Sequence, residues 1–313
     1  MRRRRFILPV LLCLGSLVSL TLAQRGGRGG RGGGGFGGAG GFGGGGFGGG
    51  GFGRGGGNAN PDITPLPANR RGTPTWELDP HFKEDVFTFV RLKFTSGPYR
   101  EPDQTSDRSG WKTDWPSADV DFSYRLQELT SLKVNPYPIQ IEITDPSMFQ
   151  HPLVTMEQVG RLKFTDEEVT VLRRYLLNGG FLLVGDHWGP YEYQNFHDEM
   201  KRLFPDREPV DLPLSHPIFH CVYDFKAKPQ IPEAEIAERY RDQGVTWERE
   251  DSKEPFFRGI FDDKNRMMVL IVSNCDLTDG WEKEGTDEWF FQEFCVKKAY
   301  PMGINIIFYA MTH

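Results

Sequence analysis

Thr165-Asp166-Glu167-Glu168-Val169-Thr170-Val171-Leu172-Arg173-Arg174-Tyr175-Leu176-Leu177-Asn178-Gly179-Gly180-Phe181-Leu182-Leu183-Val184-Gly185-Asp186 is the stretch that decides the fold class. Thr165 with Glu168 three residues on is a capping box, in which each side chain satisfies a backbone N–H that the first helical turn leaves open. Val169, Leu172, Tyr175 and Leu176 follow at helical spacing. Gly179-Gly180 stops the helix, because glycine closes a helix end without steric cost. Phe181-Leu182-Leu183-Val184 is an unbroken apolar run, as in a strand covered on both faces. A helix feeding such a strand is the repeating unit of an α/β protein built on a mainly parallel sheet.

The flanking sequence extends this pattern. Residues 86–94 are aromatic and β-branched and predict a strand, and residues 138–143 alternate and predict another. Residues 119–130, 195–204, 231–241, 287–298 and 303–311 carry helical spacing, the third of these as a charged, exposed helix. Residues 256–261 and 266–273 flank Asp262-Asp263-Lys264-Asn265 and predict a hairpin inserted in or appended to the sheet. The expectation is one domain over residues 81–313, with helices on both faces of the sheet.

Upstream the polymer is different. Of the 33 residues from Arg25 to Gly57, 24 are Gly, with four Arg, four Phe and Ala39. Such a chain loses much entropy on ordering and buries almost nothing, which predicts a disordered tract over residues 24–57. It lacks the strict Gly-X-Y period of collagen and opens no helix as a phosphate loop would. Pro61, Pro65, Pro67, Pro74 and Pro80 predict a stiffer linker over residues 58–80. Arg2 to Arg5 followed by 18 uncharged residues, Phe6 to Ala23, read as a secretory signal over residues 1–23. An uncleaved membrane anchor is the alternative, and the export route stays open. Residues 1–57 hold eight Arg and no acid, whereas residues 58–313 hold 29 basic and 43 acidic side chains. An acidic domain disfavours nucleic acid as a partner, even though the Arg-Gly-Gly spacing is like that of RNA-binding tails.

Asn178 to Asp186, His216-Pro217-Ile218-Phe219, Val272-Ser273-Asn274-Cys275-Asp276-Leu277 and Gly303 to Ala310 resemble, in that order, the domain of unknown function 4159 family. Phe89 to Phe94 fits its start, so the likeness covers roughly residues 85–312. The resemblance implies a flavodoxin-like three-layer sandwich of the class I glutamine amidotransferase-like superfamily. It implies no reaction. It does say where to look, because amidotransferases carry a nucleophilic cysteine on a Gly-flanked strand-to-helix turn. The matching turn here, Gly185-Asp186-His187-Trp188-Gly189, has neither Cys nor Ser. Covalent amide hydrolysis through a Cys–His pair is therefore disfavoured.

Ligands of open parallel sheets bind beyond the carboxyl ends of the strands. That rule selects Asp186, His187 and Asp276 for acid–base chemistry and Thr95, Asp145, Trp188 and His216 for ligand contact. Each has a structural alternative: Asp at a strand end caps helices, and His216 anchors a turn. His216 and His220 are four apart, but Pro217 argues against the helix that would pair them on a metal. The sequence has no HExxH or CxxC, so no cofactor and no metal ligand set is assigned. Cys221, Cys275 and Cys295 allow either one disulfide and one thiol or three thiols. Trp111, Trp115, Trp188, Tyr191, Tyr193, Trp247, Trp281 and Trp289 beside acids suggest sugar stacking, with core or loop anchoring as the alternative. The leading expectation is an exported domain that binds a small molecule, glycan or envelope protein. The alternatives are a non-covalent, metal-assisted hydrolase using Asp186 and His187 with Asp276 or His216, and an envelope component acting through its glycine tract. The evenly spaced Phe36, Phe42, Phe47 and Phe52 predict weak self-association. Sedimentation of a chain lacking residues 25–57 checks this, and an unchanged solution size counts against it.

Overall fold

The computed structural model describes residues 73–82, 85–97 and 110–313. The signal, the glycine tract and most of the proline linker lie outside the described residues. The chain forms β1 Val90–Lys93, α1 Ser117–Leu129, β2 Ile139–Glu142, β3 Leu153–Glu157, α2 Asp166–Leu177, β4 Phe181–Gly185 and α3 Gly189–Leu203. There follow β5 Val210–Asp211, α4 Ala234–Arg239, β6 Phe256–Phe261, β7 Met267–Ser273 and α5 Leu277–Glu282. Last come α6 Glu288–Phe290, a π-helical stretch Phe291–Ala299, and α7 Tyr300–Thr312.

The strands make one sheet in the order β2-β1-β3-β4-β7-β6-β5. The first five are parallel, and β6 and β5 complete one edge antiparallel. The parallel part follows the doubly wound order 2-1-3-4-5. One face of the sheet packs on Phe122, Leu126, Trp281, Ile304 and Ile307 of α1, α5 and α7. The other packs on Leu172, Tyr175, Phe196, Met200 and Leu203 of α2 and α3. This is a three-layer α/β sandwich. No helix of the described residues is long and apolar enough to cross a membrane.

The capping box forms as read: Thr165 Oγ1 accepts from the Glu168 N–H, and Glu168 Oε2 accepts from the Thr165 N–H at 2.7 Å. Gly179 takes φ +107° at the end of α2. Other elements depart from expectation. The strand β3 was not predicted, because Leu-Val-Thr-Met-Glu neither alternates nor forms an unbroken apolar run, yet all five residues are buried. The hairpin is no appendage, since β7 pairs with β4 as well as β6 and lies inside the sheet. The expected exposed helix at 231–241 shrinks to α4, with Ala234 and Ala237 buried. Helix α3 begins at Gly189, directly after the strand-to-helix turn, rather than at Asn195.

One buried ion pair ties the sheet to the loop above it. Arg91 in β1 meets Asp119 in α1 through Nη2 to Oδ2 at 2.5 Å and Nε to Oδ1 at 3.2 Å, and both side chains are fully buried. Arg91 Nη1 also donates to the Thr113 carbonyl at 2.5 Å and the Trp111 carbonyl at 3.4 Å. Burial pushes Asp119 up to about 6, against the pull of Arg91, so the pair is charged at neutral pH. Removing one partner strands the other charge in the interior. Arg91→Met is expected to cost about 3–5 kcal/mol in chemical denaturation, and Arg91→Met/Asp119→Asn to recover part of it.

Candidate functional site

Three neighbouring parallel strands end in the same way. Gln158 follows β3 with φ +52°, Asp186 follows β4 with φ +43°, and Asn274 follows β7 with φ +56°. The left-handed backbone at each strand end turns the chain sharply, and Asp and Asn tolerate it better than other side chains. Asn274 locks two of these turns together: its N–H donates to the His187 carbonyl, its Oδ1 accepts from Gly189 N–H at 2.9 Å, and its Nδ2 donates to the Glu254 carbonyl at 2.7 Å. Gly185 is required by close approach, since a Cβ there would stand 2.4 Å from Glu157 Oε2.

Above these ends lies a cavity of about 220 Å³ lined by Thr113, Asp114, Gln158, Asp186, Glu233, Glu235, Glu248, Asp276, Asp279 and Lys283. Seven of the ten are carboxylates, and Lys283 is the one base among them. Oxygens of Asp186, Glu248 and Asp276 lie within 4.8 Å of one another, as do oxygens of Asp114, Asp276 and Asp279. Asp276 belongs to both groups.

The scaffold grips these side chains individually. Asp276 caps α5, its Oδ1 accepting from the Asp279 N–H and from Thr278 Oγ1, each at 2.8 Å. Asp279 Oδ2 accepts from Ala234 N–H at 2.8 Å, and Glu248 Oε1 from Glu233 N–H at 3.1 Å. The loop carrying Glu248 is pinned by Arg249, which reaches Glu192 Oε1 at 2.5 Å and the Trp188 carbonyl at 3.2 Å. Trp188 Nε1 donates to Asp186 Oδ1 at 3.3 Å. Asp114 rides on the loop that Arg91 holds, itself at φ +58°.

Crowding of acids in a buried place disfavours their charged forms. Burial first, then the charges of Asp186, Asp279, Asp114 and Glu248, hold Asp276 well above the ordinary carboxylate range. Burial and Asp114 do the same to Asp279. Burial and Glu282 bring Asp114 up to about 6. Beneath them Glu157, fully buried at the end of β3, is pushed up to about 8 by burial, with Arg91 pulling the other way.

Of the sequence-selected residues, Asp186 and Asp276 come together here. His187 does not join them. The left-handed turn at Asp186 sends the next side chain the other way, and His187 is buried on the α3 side with Nε2 2.8 Å from Ser273 Oγ, beside Tyr193 and Phe196. Burial lowers it to about 4, so it is neutral at physiological pH and serves the structure. Trp188 is fully buried and reaches the site through its indole bond to Asp186 and through its carbonyl, which holds Arg249. Thr95 is exposed, and its carbonyl accepts from Lys163 N–H. Asp145 follows the edge strand β2, away from the cavity, and caps the short turn Pro146–Gln150 through Ser147 N–H at 2.8 Å. His216 caps the turn Pro217–Phe219, its Nδ1 accepting from Ile218 N–H at 3.3 Å, and His220 pairs with Asp224, so the two share no ion.

Sequence reasoning missed Gln158, Glu248 and Asp279, and it noted Asp114 only as the acid beside Trp115. Gln158 was hidden by the missed strand, and Glu248 by a loop with no pattern of its own. The aromatic surplus is also spent elsewhere. Trp281 stacks on Phe122 in the core, Trp289 lies under Arg241, and among the described residues no aromatic ring lines the cavity. The three described cysteines are thiols, and burial raises Cys275 to about 12, leaving it an inert neighbour of Asp276.

The family described as Domain of unknown function (DUF4159) matches residues 89–311. The chain belongs to this family. No curated protein matches it. The DUF4159 match spans every strand of the sheet from β1 onward and all of the cavity's lining residues.

Glu157 gives this site a measurable signature. Its folded value lies above its ordinary 4.5, so its contribution to stability is complete below about 4.5 and is lost as pH rises through about 8. Glu157→Gln escapes that loss. Its stability relative to the parent is expected to improve by on the order of 1 kcal/mol per pH unit across that window, read from urea denaturation. A pH-independent difference would contradict a neutral Glu157.

Proposed function

We propose that this DUF4159 domain is exported and binds a donor-rich small molecule without covalent chemistry, on an amidotransferase-like scaffold that has lost its nucleophile. The observation that carries the reading is the convergence of Asp186, Glu248, Asp276, Asp114 and Asp279 on one cavity at the strand ends. A ring of acceptors with Lys283 as its one base suits a ligand that brings N–H or O–H donors and positive charge. The lining offers no stacking surface, which favours a polyamine-like or amino-bearing ligand over a neutral sugar gripped by aromatic rings. Nucleic acid is disfavoured, because phosphates would meet carboxylates. Export rests on the charge pattern of residues 1–23, and a mature chain beginning at Gln24 is the expected result of N-terminal sequencing.

A hydrolase reading survives in altered form. Asp186 and Asp276 are close, and burial holds Asp276 well above the ordinary carboxylate range, as suits a proton donor. His187 has no part in it.

Melting curves with spermidine and with glucose test the binding reading. Spermidine at about a hundred times its Kd is expected to add roughly 2.7 kcal/mol of stability, and glucose none. Asp186→Asn is expected to abolish most of the spermidine effect. An equal response from that variant would place binding elsewhere and overturn the assignment.

A further inference from the structure

We infer that the crevice holds a hard divalent cation of the Ca²⁺ class on the Asp276 carboxylate, with Asp186 and Glu248 as companion ligands and Asp114 and Asp279 alongside. The inference rests on the ligand-binding reading above and narrows what binds there first. Clustered acids alone do not make such a site, since many are simply solvated. Here a second observation points the same way. Asp114 and Gln158 line the cavity, and Asp114 Oδ2 and Gln158 Oε1 are buried oxygens with no hydrogen-bond partner. A buried acceptor left unpaired costs about 1–3 kcal/mol. Both orphaned atoms are oxygens, and a cation or a donor is what relieves them.

The geometry and the donor type select the ion. The oxygens of each group lie within 4.8 Å of one another. Two oxygens on opposite sides of Ca²⁺, each at about 2.4 Å, are about 4.8 Å apart, so one ion reaches all three with the backbone in place. The set is oxygen only: His187 is bonded to Ser273 on the other side of the turn, and Cys275 does not line the cavity. Oxygen-only sets suit Ca²⁺, Mg²⁺ and Mn²⁺, not Zn²⁺ or Cu²⁺. The ligands are pre-positioned, because Asp276, Asp279 and Glu248 are each held through one oxygen by the scaffold. Lys283, the one base in the lining, is already paired with Glu282 at 2.7 Å.

The test uses the full chain stripped with EDTA. Equilibrium dialysis with Ca²⁺ is expected to show saturable binding of at least one ion per chain. Tb³⁺ in the same site is expected to luminesce on excitation of Trp188, whose indole bonds Asp186, and Ca²⁺ to quench that signal by displacement. Asp276→Asn, which keeps a capping oxygen, and Glu248→Gln, which keeps the acceptor for Glu233, are each expected to weaken binding roughly tenfold or more. Glu167→Gln, an exposed carboxylate on α2, is expected to bind as the parent does. Absence of saturable binding of Ca²⁺, Mg²⁺ and Mn²⁺ overturns the inference, as does parental affinity in both site variants. Spermidine stabilising a stripped chain that binds no Ca²⁺ sinks the cation and leaves the ligand-binding reading standing. Ca²⁺ binding with no response to spermidine upholds the cation and removes the polyamine-like ligand.

Discussion

The site depends on a charge pair that never meets solvent. Arg91 lies within the parallel strand β1, inside the protein, where an unpaired guanidinium would be prohibitively costly. Asp119 neutralises it from the first turn of α1, and the spare donor takes the carbonyls of Thr113 and Trp111. That last contact converts a stability element into a functional one. The described residues just ahead of α1, from Gly110 on, lie over the sheet's carboxyl edge and carry Asp114 to a place that strand geometry alone would not reach. Asp114 above and Glu157 below feel the same guanidinium, so fold and site share an electrostatic origin.

Much of the fold was legible because its signals were local. A capping box, a glycine stop and a buried apolar run lie within about twenty residues, and each has a mechanism independent of the rest of the chain. The strand ends then yielded Asp186 and Asp276 by topology. What escaped was set by distance or by face. Asp114 and Glu248 arrive on loops whose course is decided by Arg91 and Arg249, contacts across 22 and 57 residues. His187 was misjudged because sequence adjacency to Asp186 hides a reversal of direction at a turn. The tryptophans were ambiguous for a different reason: a ring beside an acid reads the same whether it faces a ligand or a neighbouring helix.

At the tight turn after β4 this chain presents a carboxylate held by an indole. The one thiol close by, Cys275, is packed as a small hydrophobe. The turn has a sharp backbone, with Asp186 at φ +43°, and it aims a carboxylate at the cavity above the strand ends.

The carboxylates of the cavity also act as fasteners. Asp276 starts α5, and Asp279 and Glu248 anchor the first residues of α4. Acidity here is therefore hard to lose by drift. A substitution that discharges one of these positions without keeping an oxygen frays a helix end as well, so selection for folding alone would preserve much of the pocket's character. Conversely, whatever occupies the cavity pulls on the same oxygens that secure those two helices. The amide hydrogens of Glu233, Ala234 and Asp279 become natural reporters of occupancy, exchanging with solvent at rates set by how firmly their acceptors are held.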